Sequence, residues 1–189
     1  PTTPAAHVRG REVQRVGGAT EINCAIDREP LGHQRTPQTK LIVLAKLPCP
    51  SIAFIAAEDL RSLGGLAANV GALVFVDEVY METLFDQPWR SAFFLGNNFI
   101  TTNSLTKAYG LSGLRCGWIL TPERLKAKLW NVIDFTYGVP AHPAERLSAL
   151  ALDHLPRIAA RARALVEANR VTANEFLAQN ADRVGCGPS

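Results

Sequence analysis

The sequence lacks the patterns that mark metal centres, disulfide frameworks and membrane spans. Its cysteines, Cys24, Cys49, Cys116 and Cys186, stand far apart, and no histidine lies near them at metal-ligand spacing. The longest apolar run, around residues 73–76, is much too short to cross a bilayer, and no secretion signal opens the chain. We therefore expect no metal, no disulfide framework and no membrane association, with the cytoplasm as the location.

The sequence also has only a small excess of positive over negative charge. The 20 Lys and Arg residues stand against 17 Asp and Glu, which gives a net charge of +3 without a long run of either sign. Nucleic-acid-binding domains usually concentrate basic residues on one face, so we expect no nucleic-acid partner. Five late arginines are spread along a predicted helix and are interpreted as a solvated face: Arg146, Arg157, Arg161, Arg163 and Arg170.

Hydrophobic patterning predicts an α/β fold after an uncertain, irregular segment at residues 1–36. Short apolar runs predict strands at 41–44, 72–76, 99–102 and 117–120, the first of them buried on both faces. Helical spacing predicts helices at 56–70, 122–131 and 143–179, with a break or kink at Pro156. The length of 189 residues fits one folded unit.

Polar side chains follow two of the predicted strands. Asp77-Glu78-Val79-Tyr80 comes directly after one, and Ser104-Leu105-Thr106-Lys107 comes after another, with Arg115 eight residues beyond Lys107. Ligands of open α/β sheets bind outside the carboxyl ends of the strands. Considered singly, Asp77 would be a capping carboxylate and Tyr80 an aromatic residue at the rim of the fold. Lys107 and Arg115 would be solvated surface cations.

The two clusters together resemble the fold type I aminotransferases of class I/II, which depend on pyridoxal 5'-phosphate (PLP). The second match runs from Asn103-Ser104-Leu105-Thr106-Lys107 through Ala108-Tyr109-Gly110-Leu111-Ser112-Gly113-Leu114 to Arg115-Cys116-Gly117-Trp118. The resemblance extends from about Pro37 to Asn180. It implies a three-layer α/β fold with a mostly parallel sheet flanked by helices, a PLP-binding core at 37–142, and a helical segment at 143–189 that leads toward a C-terminal domain.

The resemblance also implies roles for five residues. Lys107 would bind the cofactor covalently and act as a general base. Asp77 would face the pyridine nitrogen, and Tyr80 would donate a hydrogen bond to the ring oxygen. Ser104 and Arg115 would hold the phosphate.

One turn departs from the family pattern. Cys49-Pro50-Ser51-Ile52 stands where the family has Asn-Pro-Thr/Ser-Gly, so Cys49 would replace an asparagine that hydrogen-bonds the cofactor ring, and a thiol is a weaker donor. Ile52 resists the positive φ that glycine adopts. The upstream phosphate loop and the substrate-binding arginine of the family are also missing, and we expect a truncated or impaired enzyme.

Amino acids and 2-oxo acids are the substrates that the resemblance implies, and a homodimer is the implied assembly. An alternative is a non-catalytic PLP-binding module, or a degenerate one, such as the effector domain of some bacterial regulators. Ser104-x-x-Lys107 also matches the nucleophile motif of serine β-lactamases and penicillin-binding proteins, but their Ser-Asp-Asn and Lys-Thr-Gly motifs do not occur.

Overall fold

The computed structural model describes residues 12–14, 36–47, 55–84 and 88–183. Most of the uncertain segment 1–36 and the whole turn that contains Cys49 lie outside the described residues. The chain divides into two compact units, each made of separate segments. The first comprises Pro1–Glu78, Arg90–Thr101 and Leu120–Arg124, and the second comprises Val79–Trp89, Thr102–Ile119 and Leu125–Ser189. The predicted division at residue 142 stays a prediction.

The described chain contains four strands and four α-helices. They are β1 (Leu41–Ala45), α1 (Ala57–Ala68), β2 (Leu73–Asp77), β3 (Phe99–Ser104), β4 (Gly117–Leu120), α2 (Glu123–Thr136), α3 (His142–Asp153) and α4 (Leu155–Gln179). Short 3₁₀ turns occur at Met81–Thr83, Ala92–Leu95 and Ser112–Leu114.

The strands form one mixed sheet in the order β1-β2-β3-β4. β1 and β2 are parallel, with Leu41 opposite Leu73 and Ala45 opposite Asp77. Parallel neighbours need a crossover, which α1 supplies. The predicted α/β fold is confirmed, and each predicted strand lies within a residue or two of the observed one.

The core of the first unit lies between α1 and β2. Leu60, Leu63 and Ala67 recur on one face of α1 and pack with Val74 and Val76, the alternate residues of β2. Glu58 and Asp59 lie in the first turn of α1, where carboxylates favour a helix N-terminus. The interior of this unit is therefore an apolar helix face against an apolar strand face.

β1 differs from its prediction, because it is not buried on both faces. Leu41 and Val43 are about half exposed, whereas Ile42 and Leu44 pack against the core. Within the described ranges, one face of this strand is thus incompletely covered. A continuous apolar run does not reveal whether both faces find a partner.

The second unit has its own core, built on the segment between β3 and β4. Leu105, Tyr109 and Ala151 are buried there, and residues of α4 such as Leu155 and Ile158 pack against them. The predicted helix at 143–179 is two helices, which meet at His154. Pro156 occupies the first turn of α4, where its missing N–H is tolerated.

α2 runs to Thr136, five residues beyond its predicted end, and buries none of its residues. None of the helices in the described ranges is both long enough and apolar enough to span a membrane.

Candidate functional site

Lys107 is exposed on a loop that is anchored on both sides. Leu105 is completely buried before it and Tyr109 is buried after it. The Leu105 N–H donates to the Cys116 carbonyl at 3.1 Å, and the Leu111 N–H donates to the Leu105 carbonyl at 3.0 Å. These contacts close the loop into a compact turn that presents the lysine to solvent.

Gly110 supplies the backbone freedom that this turn needs. Its φ is 69°, a left-handed conformation that glycine adopts without steric cost, and its N–H donates to the Lys107 carbonyl at 3.1 Å. The chain therefore reverses directly after the lysine.

The Lys107 amine lies over the Tyr80 ring. Its Nζ is 5.9 Å from the ring centroid, near the outer limit of a cation–π contact. Tyr80 is half-buried and precedes the Met81–Thr83 turn, whose Met81 is completely buried. A phenol and an amine from two sequence-separated segments are thus neighbours within the second unit.

Two paired hydroxyls come directly before the lysine in the chain. Ser104 Oγ is 2.6 Å from Thr106 Oγ1, and either atom could be the donor. The Ser104 N–H donates to Asn103 Oδ1 at 2.7 Å, which holds the end of β3. Thr106 received no role from the sequence, although its place beside Lys107 and two residues after Ser104 could have indicated one.

Arg115 closes the same loop in a strained conformation. Its φ is 53°, and it is the only non-glycine residue with a positive φ in the part of the chain that the structure describes. Nη1 donates to the Ser112 carbonyl at 3.3 Å, which engages only part of the exposed guanidinium. The remaining N–H groups can bind an anion.

Tyr109 connects this loop with the segment that carries Tyr80. It is buried and hydrogen-bonds Glu82. Burial raises the pKa of Tyr109 far above its ordinary value, and the Glu82 carboxylate adds to the shift. Tyr109 therefore stays neutral and donates to Glu82.

Asp77 ends β2 in the first unit. Its side chain is half-buried, and its carbonyl accepts a hydrogen bond from the Lys46 N–H at 3.0 Å. Glu78, the next residue, is almost completely buried, as is Lys46. The sequence predicts no role for Lys46 or Glu78. A lysine that follows an apolar strand carries no sequence signal that it will be buried.

Four of the six predicted cofactor-binding residues lie in the second unit: Tyr80, Ser104, Lys107 and Arg115. Asp77 belongs to the first unit, and Cys49 lies outside the described residues. Their roles toward a cofactor stay predictions.

Comparison with known proteins identifies one family. The family model described as "Aminotransferase class I and II" matches residues 4–182. The "Probable N-acetyl-LL-diaminopimelate aminotransferase" of Bacillus subtilis is 31% identical over 101 residues, which is 53% of this chain and 26% of that protein. A histidinol-phosphate aminotransferase of Paramagnetospirillum magneticum is 30% identical over 128 residues, 65% of this chain and 35% of that protein.

A solved structure of a PLP-dependent aminotransferase from Streptococcus suis superposes with a TM-score of 0.85 at 27% identity. The match covers 93% of this chain and 46% of that one. The chain thus spans between a quarter and a half of the length of these relatives.

Proposed function

The chain belongs to the class I and II aminotransferases, and from this premise we propose that it binds PLP through Lys107 for the transfer of an amino group. PLP is the cofactor of this family. The observation that carries the proposal is the exposed Lys107 amine over the Tyr80 ring, directly after the segment with the paired hydroxyls of Ser104 and Thr106. We propose an amino acid and a 2-oxo acid as the substrates.

The residues present fit the chemical groups of PLP. An exposed amine is accessible to an aldehyde, which a buried one would not be. Of the two paired hydroxyls, one donates to the other and the second retains a donor, so the pair can bind a phosphate oxygen together with the Arg115 fork. A phenol beside the amine can donate to a ring oxygen.

PLP, when bound, supplies an electron sink for the substrate carbanion. Lys107 would take a proton from the substrate α-carbon and deliver it again, which requires a neutral amine. Tyr80 would donate its hydroxyl proton in a hydrogen bond to the ring oxygen. Asp77 would hold a proton on the pyridine nitrogen through its negative charge.

The departure at Cys49-Pro50-Ser51-Ile52 favours a second candidate, a non-catalytic PLP-binding or degenerate module. A weaker donor at Cys49 would cost about 0.5–1.5 kcal/mol of cofactor affinity, so an impaired enzyme is the expected form of the first candidate. An enzyme and a non-catalytic PLP-binding module would both bind the cofactor at Lys107. Only turnover with an amino acid and a 2-oxo acid separates them.

An absorption titration with PLP tests the proposal. We expect the parent and the Lys128→Ala control, which alters an exposed lysine of α2, to develop the same cofactor band, and Lys107→Ala to lose it. Borohydride reduction followed by peptide mass analysis should find the adduct on Lys107. An adduct on other lysines, or a band that Lys107→Ala keeps, would contradict the proposal.

A further inference from the structure

Lys46 and Glu78 are two charged side chains buried in the first unit, with 3% and 2% of their surfaces exposed. Neither has a place in the proposed chemistry. Fully buried lysines and glutamates are rare unless they are paired, so this pair calls for an explanation.

Two side-chain hydrogen bonds of the pair go to the backbone of residues 90–92. Lys46 Nζ donates to the Arg90 carbonyl at 3.1 Å, and the backbone N–H of the same residue donates to the Asp77 carbonyl at 3.0 Å. Glu78 Oε1 accepts the Ala92 N–H at 2.8 Å. The two side chains thus connect the ends of β1 and β2 with residues 90–92.

The charges of the pair depend on each other. Burial lowers the pKa of Lys46, and the Glu78 charge opposes that shift. Burial raises the pKa of Glu78 and the neighbouring Asp77 charge adds to it, whereas the hydrogen bonds from Ala92 and Ser91 and the Lys46 charge oppose it. Removal of one partner would therefore leave the other as an uncompensated buried charge.

An apolar pair of similar volume would fill this space at a lower electrostatic cost. What apolar side chains could not do is bind the Arg90 carbonyl and the Ala92 N–H. The pair therefore ties residues 90 and 92 to the residues that follow β1 and β2, and Asp77 is the last residue of β2.

We infer that Lys46 and Glu78 are positioning residues, which hold the end of β2 so that Asp77 is fixed for its proposed contact with the cofactor. The part of this inference that concerns Asp77 rests on the proposed function. The part that concerns the backbone does not, so it can be measured without PLP.

Hydrogen exchange of the cofactor-free chain tests the backbone part. Lys46→Met keeps the length of the stem and removes the ammonium, and we expect exchange at the Ala92 amide and at the position-46 amide to accelerate by about tenfold or more. Lys40→Met, an exposed lysine at the other end of β1, is the matched control and should change neither amide. The double variant Lys46→Met/Glu78→Gln, which leaves no buried charge, should exchange more slowly than Lys46→Met alone.

PLP binding tests the part that concerns Asp77. Lys46→Met should weaken PLP binding several-fold and shift the pH dependence of the bound-cofactor absorption, and the double variant should recover part of both. A general loss of folding would not be relieved by a second substitution in the core.

The outcomes separate the inference from the proposed function. If the parent does not bind PLP, the proposed function fails, and the exchange rates alone decide whether the pair positions the strand end. If exchange accelerates but PLP affinity and the absorption profile stay those of the parent, the pair does not position Asp77. Unchanged exchange in Lys46→Met overturns the inference altogether.

Discussion

Arg115 holds a backbone conformation that a β-carbon disfavours, at the position proposed to bind phosphate. The left-handed conformation costs a non-glycine residue about 1–2 kcal/mol, and glycine avoids most of this cost. We expect Arg115→Gly to raise the free energy of unfolding by about 0.5–1 kcal/mol, because glycine also gains entropy in the unfolded chain. The same variant should bind PLP more weakly.

Urea unfolding and a PLP titration of Arg115→Gly measure whether its stability rises while its affinity for PLP falls. Arg115→Lys is the control, because it keeps the charge and the strain and loses only the planar fork. A variant Arg115→Gly that is less stable than the parent would contradict the claim that the backbone of Arg115 is strained.

Glu78 should make stability depend on pH. Its pKa lies at 4.5 in an unfolded chain and is raised in the folded one, chiefly by burial. Its contribution is then fully present below about pH 4.5 and is lost as the pH rises through the raised pKa, because the native state must ionise a buried carboxyl. We expect urea midpoints of the parent to fall relative to Glu78→Gln over this window. A constant difference across the window would contradict the assignment.

At this scale the sequence identifies residues by their position after strands and by motif. Tyr80 and Lys107 were named in that way, and the fold brings them together. Lys46 and Glu78 could not be named, because their burial depends on residues 90–92, which lie far along the chain. A role for Thr106 could have been predicted, because it lies between Ser104 and Lys107 in the same motif.

Gly64 permits the close approach of α1 and β3. A β-carbon at Gly64 would lie 2.5 Å from Cε2 of Phe99, and Phe99 is too deeply buried to move aside. Overpacking of this kind costs about 1–3 kcal/mol. We expect Gly64→Ala to lower the free energy of unfolding, although alanine is the better helix former.

Gly65→Ala is the matched control, since Gly65 is exposed in the same helix and a β-carbon there meets nothing within 4 Å. That variant should gain up to about 1 kcal/mol from helix propensity alone. Thermal unfolding of both variants measures the difference. Equal effects would show that α1 and Phe99 are not in close contact.

Elements were predictable where a local pattern determines them. The continuous apolar run around Val74 and the acidic first turn of α1 predict a strand and a helix close to the observed bounds. The length of α2 was underestimated, because its residues continue a helical pattern without burying a face. The burial of β1 was overestimated, because the residues of a strand do not determine whether other elements pack against both of its faces.

The helices of the second unit and the residue that follows α2 carry many exposed apolar side chains. Phe135 is 95% exposed, and Trp130, Val132 and Tyr137 are more than half exposed. Soluble chains seldom leave so much apolar surface in contact with water. No described residue of the chain covers these side chains, and the homodimer that the family resemblance implies would be one way to bury them.

Phe135→Asp should therefore weaken self-association. If apolar burial drives assembly, loss of one exposed aromatic should raise the dissociation constant about tenfold or more, as removal of about 1.4 kcal/mol requires. Sedimentation velocity over a concentration series measures it. Ala127→Asp places the same charge on an exposed position of α2 without removing an aromatic side chain and should have a smaller effect. A parent that stays monomeric at the highest concentration would rule out the homodimer, and equal effects of the two variants would assign association to charge.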